Sequence, residues 1–380
     1  MKRFAVLFIV TVWIVLSQQA FADSKDTEKQ QSFDIDYNEI EKALEGDTQG
    51  ISSISFTEIV DTFLEGKFLD AVQLSLRLLY EKALLQMKTN WKTMIRLMGI
   101  ALIAAVFANL SSAFSQKFVA ETGFYLTYMM MAALLAASFS GAVTMAQDIL
   151  TKLTDLMNAM IPVYATAVTY AVGITTGHMW HQFLMLIVVV VDGFLTGVII
   201  RVIKVYVVIA MVNQIAAQDY FSKMSELLGS AIHWSLKTIL AVTLGLNVIQ
   251  NMVLPVFDTV KNGWVVKLAS AIPGIGSTFG MAAQTAMASA TLLKNAIGAA
   301  CVVTLCIVCL WPMIQLLLLT VMYKLLEVLI QPVTDKRLLA CIHAVGEGIY
   351  MLCKCVATVL LLFILSLAMM CTLAGSQAIG

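Results

Sequence analysis

Charge is scarce in this chain: Asp, Glu, Lys and Arg supply 13% of its 380 residues, against roughly 25% in soluble domains. Hydrophobic residues supply 60%. A soluble fold of this length buries at most about 75% of its surface, so it has nowhere to hide that surplus. A soluble globular protein is thereby excluded, and the surplus needs lipid. Net charge is absent too, with 24 basic and 24 acidic residues. With no basic cluster, nothing favours nucleic acid as a partner. Cysteine is missing before Cys301, and all seven cysteines fall between Cys301 and Cys371 in or beside apolar runs. That placement argues against a disulfide framework in the N-terminal part and for small buried hydrophobes.

Catalytic patterns are lacking as well. There is no GxxxxGK[ST] phosphate cradle and no HExxH zinc-peptidase pair. His178 and His181 stand three apart in GHMWHQF, a spacing that shares a helical face. Without a nearby carboxylate or cysteine they read as interfacial histidines rather than ligands. His343 and Glu347 read as a solvated face. No nucleophile–base spacing emerges. The expectation is a protein that is not an enzyme, with no metal and no cofactor.

The chain opens with MKRFAVLFIVTVWIVLSQQAFA. Lys2 and Arg3 precede an apolar stretch, and Ala20-Phe21-Ala22 supplies an A-x-A cleavage signal. Residues 1–22 are thus expected to be a signal peptide, with a retained anchor as the alternative, and residues 23–93 an exported helical ectodomain. Within the latter, Ser55-Phe56-Thr57-Glu58 has the form of a capping box. Phe68, Val72, Leu76, Leu79 and Ala83 form one helical stripe. Packing against the membrane base and contacting a partner are both open to this region.

Residues 94–147 hold two runs, 97–114 and 124–146, each long enough to cross a bilayer as a helix. Beyond them two units resemble one another, 148–253 and 254–380. Each has a lead-in ending at a proline (Pro162, Pro273), small residues, a long apolar run, a polar linker and a further span. At one constant offset Tyr206 matches Tyr323, Gln214 matches Gln331, Gly229 matches Gly346 and Lys237 matches Lys354. Ile232/Ile349, Val242/Val359 and Leu244/Leu361 agree as well. An internal duplication follows, of the kind whose repeat interface often carries function in transport proteins. If the proline elements are re-entrant, Arg201, Lys204, Lys223, Lys324, Lys336 and Arg337 share the cytoplasmic side and the repeats run parallel. The expected fold is an all-α polytopic membrane protein of about six to eight transmembrane helices with re-entrant elements.

Irregular backbone at membrane depth must face protein or a watery cavity. Pro162 and the run Pro273, Gly274, Gly276 and Gly280 are therefore candidates for pore lining or close helix packing. Asp192 interrupts LIVVVVDGF, where an ionised carboxylate costs about 2.5–3.5 kcal/mol on insertion scales. A structural ion pair and the lining of a polar path are its two readings. Lys237 and Lys354 sit near the starts of their spans, within snorkelling reach of the interface. Glu327 stands one turn from Lys324, as a pair would.

Several long stretches resemble the stage III sporulation protein AE family of endospore-forming bacteria. They are SFTEIVDTFLEGK, ANLSSAF, AIPGIGSTFGMAAQTAMASATLLKNAIGA and LIQPVTDKRL, in that order over nearly the whole length. The resemblance implies a subunit of a multiprotein channel complex between mother cell and forespore, similar to specialised secretion systems and needed around engulfment. It also implies a place in the mother-cell membrane surrounding the forespore, with the N-terminal region facing the intermembrane space. Implied partners are a separate ATPase, small membrane subunits and ring-forming intermembrane proteins. An autonomous transporter, suggested by the duplication and Asp192, is the rival reading.

Overall fold

The computed structural model describes residues 37–45, 117–171, 173–215, 221–270, 276–332 and 336–372, with Phe56, Thr57, Ile59, Val60, Ile95, Met98, Gly99 and Val106. For 44–45, 117–124, 127, 215, 250–270, 276–284, 286–287 and 369–372 it describes backbone alone. The expected signal peptide, the stripe from Phe68 to Ala83 and nearly all of the first expected span lie outside the described residues.

All regular structure among the described residues is helical. Helix α1 is Asn38–Glu45, α2 Lys117–Ala171 and α3 Ile174–Val190. A π-helical segment, Val191–Ile199, joins α3 to α4, Ile200–Ile215. Then follow α5, Ser222–Ser270, α6, Gly276–Ile330, and α7, Lys336–Thr372. Among the described residues, five helices are long and apolar enough to cross a membrane. The chain is an all-α polytopic membrane protein. With 55 residues each, α2 and α6 run roughly 80 Å at 1.5 Å per residue. That exceeds the ~30 Å hydrocarbon core, so they tilt or extend beyond it.

Helix α7 is the centre of the bundle. Of its apolar stretch 89% is buried, against 22–44% for the other four. Its sequence explains this, since VATVLLLFILSLA is apolar around the whole helix and has no face to offer water. Small residues let neighbours approach. A Cβ on Gly348 would collide with Val207 of α4 and stand 3.1 Å from the Phe139 ring of α2. The Tyr128 hydroxyl of α2 donates to the Met211 carbonyl of α4 at 2.9 Å and lies 2.9 Å from Cys341 Sγ of α7.

That last contact sets the topology. The end of α4 and the start of α7 meet at one level, so α4–α5 and α6–α7 are hairpins reversing at the same end. Lys223, Lys336 and Arg337 therefore share one end of the bundle, as parallel repeats require. The two hairpins also repeat a contact. A Cβ on Gly229 would stand 3.5 Å from the Tyr206 ring, and one on Gly346 would stand 3.3 Å from Tyr323 Cβ. These are the residues matched by the constant offset. Helices α5 and α7 then run side by side, with Asn247 Nδ2 3.3 Å from Ser366 Oγ.

One expectation is redrawn. The boundaries at 147/148 and 253/254 fall inside α2 and α5, which continue through them. Pro162 stands within α2 instead of at a break. Proline removes one backbone donor, and its own carbonyl accepts the Thr166 hydroxyl at 2.8 Å, one turn on. The helix runs on to Ala171. The chain reverses at Gly173, whose φ of 139° and ψ of 159° only glycine adopts readily. Immediately beyond, a Cβ on Gly177 would collide with Thr169, so the α2–α3 hairpin closes tightly on a bare backbone. The shared end for Lys223, Lys336 and Arg337 thus goes with continuous α2 and α5 helices.

The N-terminal region docks on this body. Ile40, Phe56, Ile59 and Val60 are buried in the same core, and α1 packs against α2. The Tyr37 and Phe56 rings lie 5.5 Å apart, and Thr57 donates to Glu41 Oε1 at 2.8 Å. Phe56, Thr57, Ile59 and Val60 are helical, as the capping pattern suggests, although Ser55 and Glu58 lie outside the described residues.

Candidate functional site at the seam of the two hairpins

The polar chemistry gathers where α5 meets α7. His233 and Lys237 are one turn apart on α5, Tyr350 and Lys354 one turn apart on α7, and the two pairs correspond in the duplication. Packing α5 beside α7 places Lys354 between the corresponding aromatic positions. Its Nζ lies 2.7 Å from His233 Nε2 and 3.9 Å from the centre of the Tyr350 ring. The ring attracts the ammonium through its quadrupole. Lys324 of α6 approaches the same ring at 5.2 Å. His233 Nδ1 lies 2.8 Å from the Gly229 carbonyl, one turn earlier on its own helix.

Beside this contact an open cleft of about 420 Å³ is lined by Tyr206, Ser225, Glu226, His233, Glu347 and Met351, among others. Glu226 pairs with Lys223 at 3.0 Å on the exposed rim. Glu347 is half-buried and stands close enough to act on the charge of Lys354. It is not on one solvated face with His343. His343 is exposed and places Nδ1 3.0 Å from Glu327 Oε1. Glu327 is thus engaged by α7, and its neighbour Lys324 turns to Tyr350. Packing of α7 on α6 offers both residues partners that a lone helix lacks.

This polar seam lies inside a body whose matched contacts follow the offset read from the sequence, and the comparison with known families gives that body its place. The stage III sporulation protein AE family matches residues 54–374. The chain belongs to that family. A stage III sporulation protein AE from Bacillus subtilis (strain 168) is 22% identical over 312 residues, covering 82% of this chain and 78% of the relative. No solved structure matches. This member of the stage III sporulation protein AE family is therefore a sporulation protein of the membrane.

The other candidate residues scatter over this family member. Asp192 opens the π-helical segment and is exposed, paired with none of the described residues. Its neighbours Val189, Val190, Phe194 and Val198 are exposed too. The extra residue of a π turn re-aims the side chains around it, a feature frequent at functional positions. Arg201 and Lys204 are exposed on α4 and Lys237 on α5. Gly276 and Gly280 lie in the first turns of α6, while Pro273 and Gly274 lie outside the described residues. Of the candidate pore or packing residues, Lys354 alone among those described is brought into this seam.

Sequence reasoning missed His233, Tyr206 and Glu347 as members of this seam. The signal was present: His233 occupies in the first repeat the position of Tyr350 in the second. Lys294 and Asn247 were missed as well, and both are fully buried. Asn247 Nδ2 donates to the Thr243 carbonyl at 2.9 Å.

Proposed function

We propose that this chain is the membrane-embedded platform of a channel complex between mother cell and forespore, required for endospore formation after engulfment. It sits in the mother-cell membrane around the forespore, with its N-terminal region toward the intermembrane space. A separate ATPase supplies energy, small membrane subunits flank it, and ring-forming proteins continue the conduit. The chain itself is not an enzyme. The observation that carries this reading is α7, an entire apolar helix enclosed by its own bundle while the surrounding helices keep apolar faces outward. A self-packed body of that kind suits a rigid base embedded in lipid with further subunits around it. Docking of α1 and Phe56–Val60 on the same core supports an N-terminal region that belongs to this base.

Deletion of the gene in its host, scored microscopically, tests the reading. Arrest after engulfment with small or collapsing forespores is the expected result. Normal spores would remove the channel-subunit assignment.

The cleft at the repeat seam favours a second reading, an autonomous secondary transporter, since such sites lie at repeat interfaces. Purified protein in liposomes, without partners, separates the two. Solute uptake driven by an ion gradient would favour the transporter, and its absence alongside the sporulation arrest would favour the platform.

A further inference from the structure

The two ring nitrogens of His233 admit one arrangement of hydrogens. Nδ1 faces the Gly229 carbonyl at 2.8 Å, and a carbonyl only accepts, so Nδ1 carries a hydrogen. Nε2 faces Lys354 Nζ at 2.7 Å, and an ammonium only donates, so Nε2 presents its lone pair. The ring is therefore neutral. The reverse assignment, imidazolium with neutral amine, puts the proton on the weaker base, since an alkylammonium ordinarily holds it about four pK units more tightly.

This contact spans the duplication, joining α5 of the first hairpin to α7 of the second. It borders the open cleft, which His233 itself lines. The titratable and charged groups around it are Tyr206 from α4, Glu226 and Lys237 from α5, Lys324 from α6, and Glu347, Tyr350, Cys353 and Lys354 from α7. Glu347 is the carboxylate nearest in function: it lines the same cleft and already acts on Lys354.

We propose that His233 and Lys354 form a proton-operated latch between the two hairpins. A proton arriving from the cleft forms an N–H bond at Nε2 and turns that acceptor into a donor. Two donors then face each other and two positive charges stand in contact. The Lys354 ammonium leaves toward Glu347, keeping the Tyr350 face within reach, and the α5–α7 seam loosens around Met351. Histidine suits the task because its ordinary titration falls between about pH 5 and 8. Loss of the proton restores the lone pair and closes the seam. The latch is a property of the isolated protein and goes beyond its membership of any complex.

Two measurements on the full chain in detergent or lipid test it. The first is nitrogen-15 NMR of the four histidines in the unmodified protein, with His233→Gln for assignment. A neutral ring bearing hydrogen on Nδ1, with Nε2 bonded to a lysine nitrogen, is expected at about pH 8 and is replaced by imidazolium near pH 5. If none of the four histidines shows that bonded tautomer, the latch is overturned. The second reads the seam through Met351→Cys in a background lacking native cysteines, against an exposed Ser222→Cys control. Thiol labelling relative to the control rises about threefold or more between pH 8 and pH 5 when His233 is present. His233→Gln keeps an acceptor but takes no proton, so its labelling stays flat. A flat response in the parent, or an equal rise in His233→Gln, overturns the proposal. Should the cysteine variants not fold, the tautomer in the unmodified protein decides alone.

Discussion

Gly346 on α7 faces Tyr323 on α6 so closely that an added Cβ would stand 3.3 Å from the tyrosine Cβ. Gly229 and Tyr206 stand in the same relation one repeat earlier, with more room: 3.5 Å to the ring and 3.6 Å to Met351 Cε. The matched pairs tie the duplication to a physical contact, the point where each hairpin's second helix crosses its first.

Crowding at these glycines differs, and so should the outcome of Gly→Ala. At Gly348 a methyl group meets Val207 and Phe139, so Gly348→Ala should destabilise by about 1–3 kcal/mol through overpacking. At Gly229 the neighbours lie at ordinary contact distance. Gly229→Ala should be neutral or stabilising, by up to about 1 kcal/mol from backbone entropy. Thermal unfolding of the purified variants in one detergent compares them, and equal loss at both positions would contradict the close approach at Gly348.

Gly173→Ala tests the α2–α3 reversal. With φ at 139°, any side chain there costs on the order of 1–3 kcal/mol. The nearby Pro162→Ala should cost nothing or stabilise, because the helix already continues through that position and alanine restores a backbone donor. Denaturation midpoints of the two variants should move in opposite directions or differ clearly in size. A large loss at Pro162 with none at Gly173 would place the break where the proline is.

Tyr128→Phe removes the hydroxyl that links α2 to the Met211 carbonyl and Cys341. The expected loss is about 0.5–1.5 kcal/mol, with more if the buried carbonyl finds no other donor. Cys341→Ala keeps the bond to Met211 and should cost less of this linkage. Paired unfolding measurements with the double variant read the coupling.

Asp192→Asn should leave the stability of the isolated chain within about 0.5 kcal/mol, because the carboxylate has no described partner to lose. Under the platform reading, sporulation in a strain carrying the variant stays largely intact unless assembly fails. Loss of function with normal expression and assembly would favour the transporter.

Much of the fold was legible because hydropathy is a local property. Residues such as those from Val356 to Leu367 are apolar whatever surrounds them, and their length alone calls for a buried or membrane helix. The duplication was legible through Tyr206/Tyr323, Gly229/Gly346 and Lys237/Lys354, since repeated contacts demand repeated side chains. The irregular backbone expected around Pro162 is instead continuous helix. A proline's effect depends on its surroundings, and here the helix runs through Pro162 to Ala171.

Composition and pattern by themselves determined the all-α membrane class, the family and the positions that correspond between repeats, because these depend on side-chain chemistry and order along the chain. Only the tertiary structure decided which corresponding residue is engaged. Lys237 and Lys354 are the same residue at the same repeat position, yet Lys237 is exposed while Lys354 lies between His233 and Tyr350. The apolar stretch of α7 is 89% buried in the bundle and that of α5 22%, so the two positions meet different surroundings. A lysine's partners are set by the helices packed across from it, which its own neighbours in sequence do not specify.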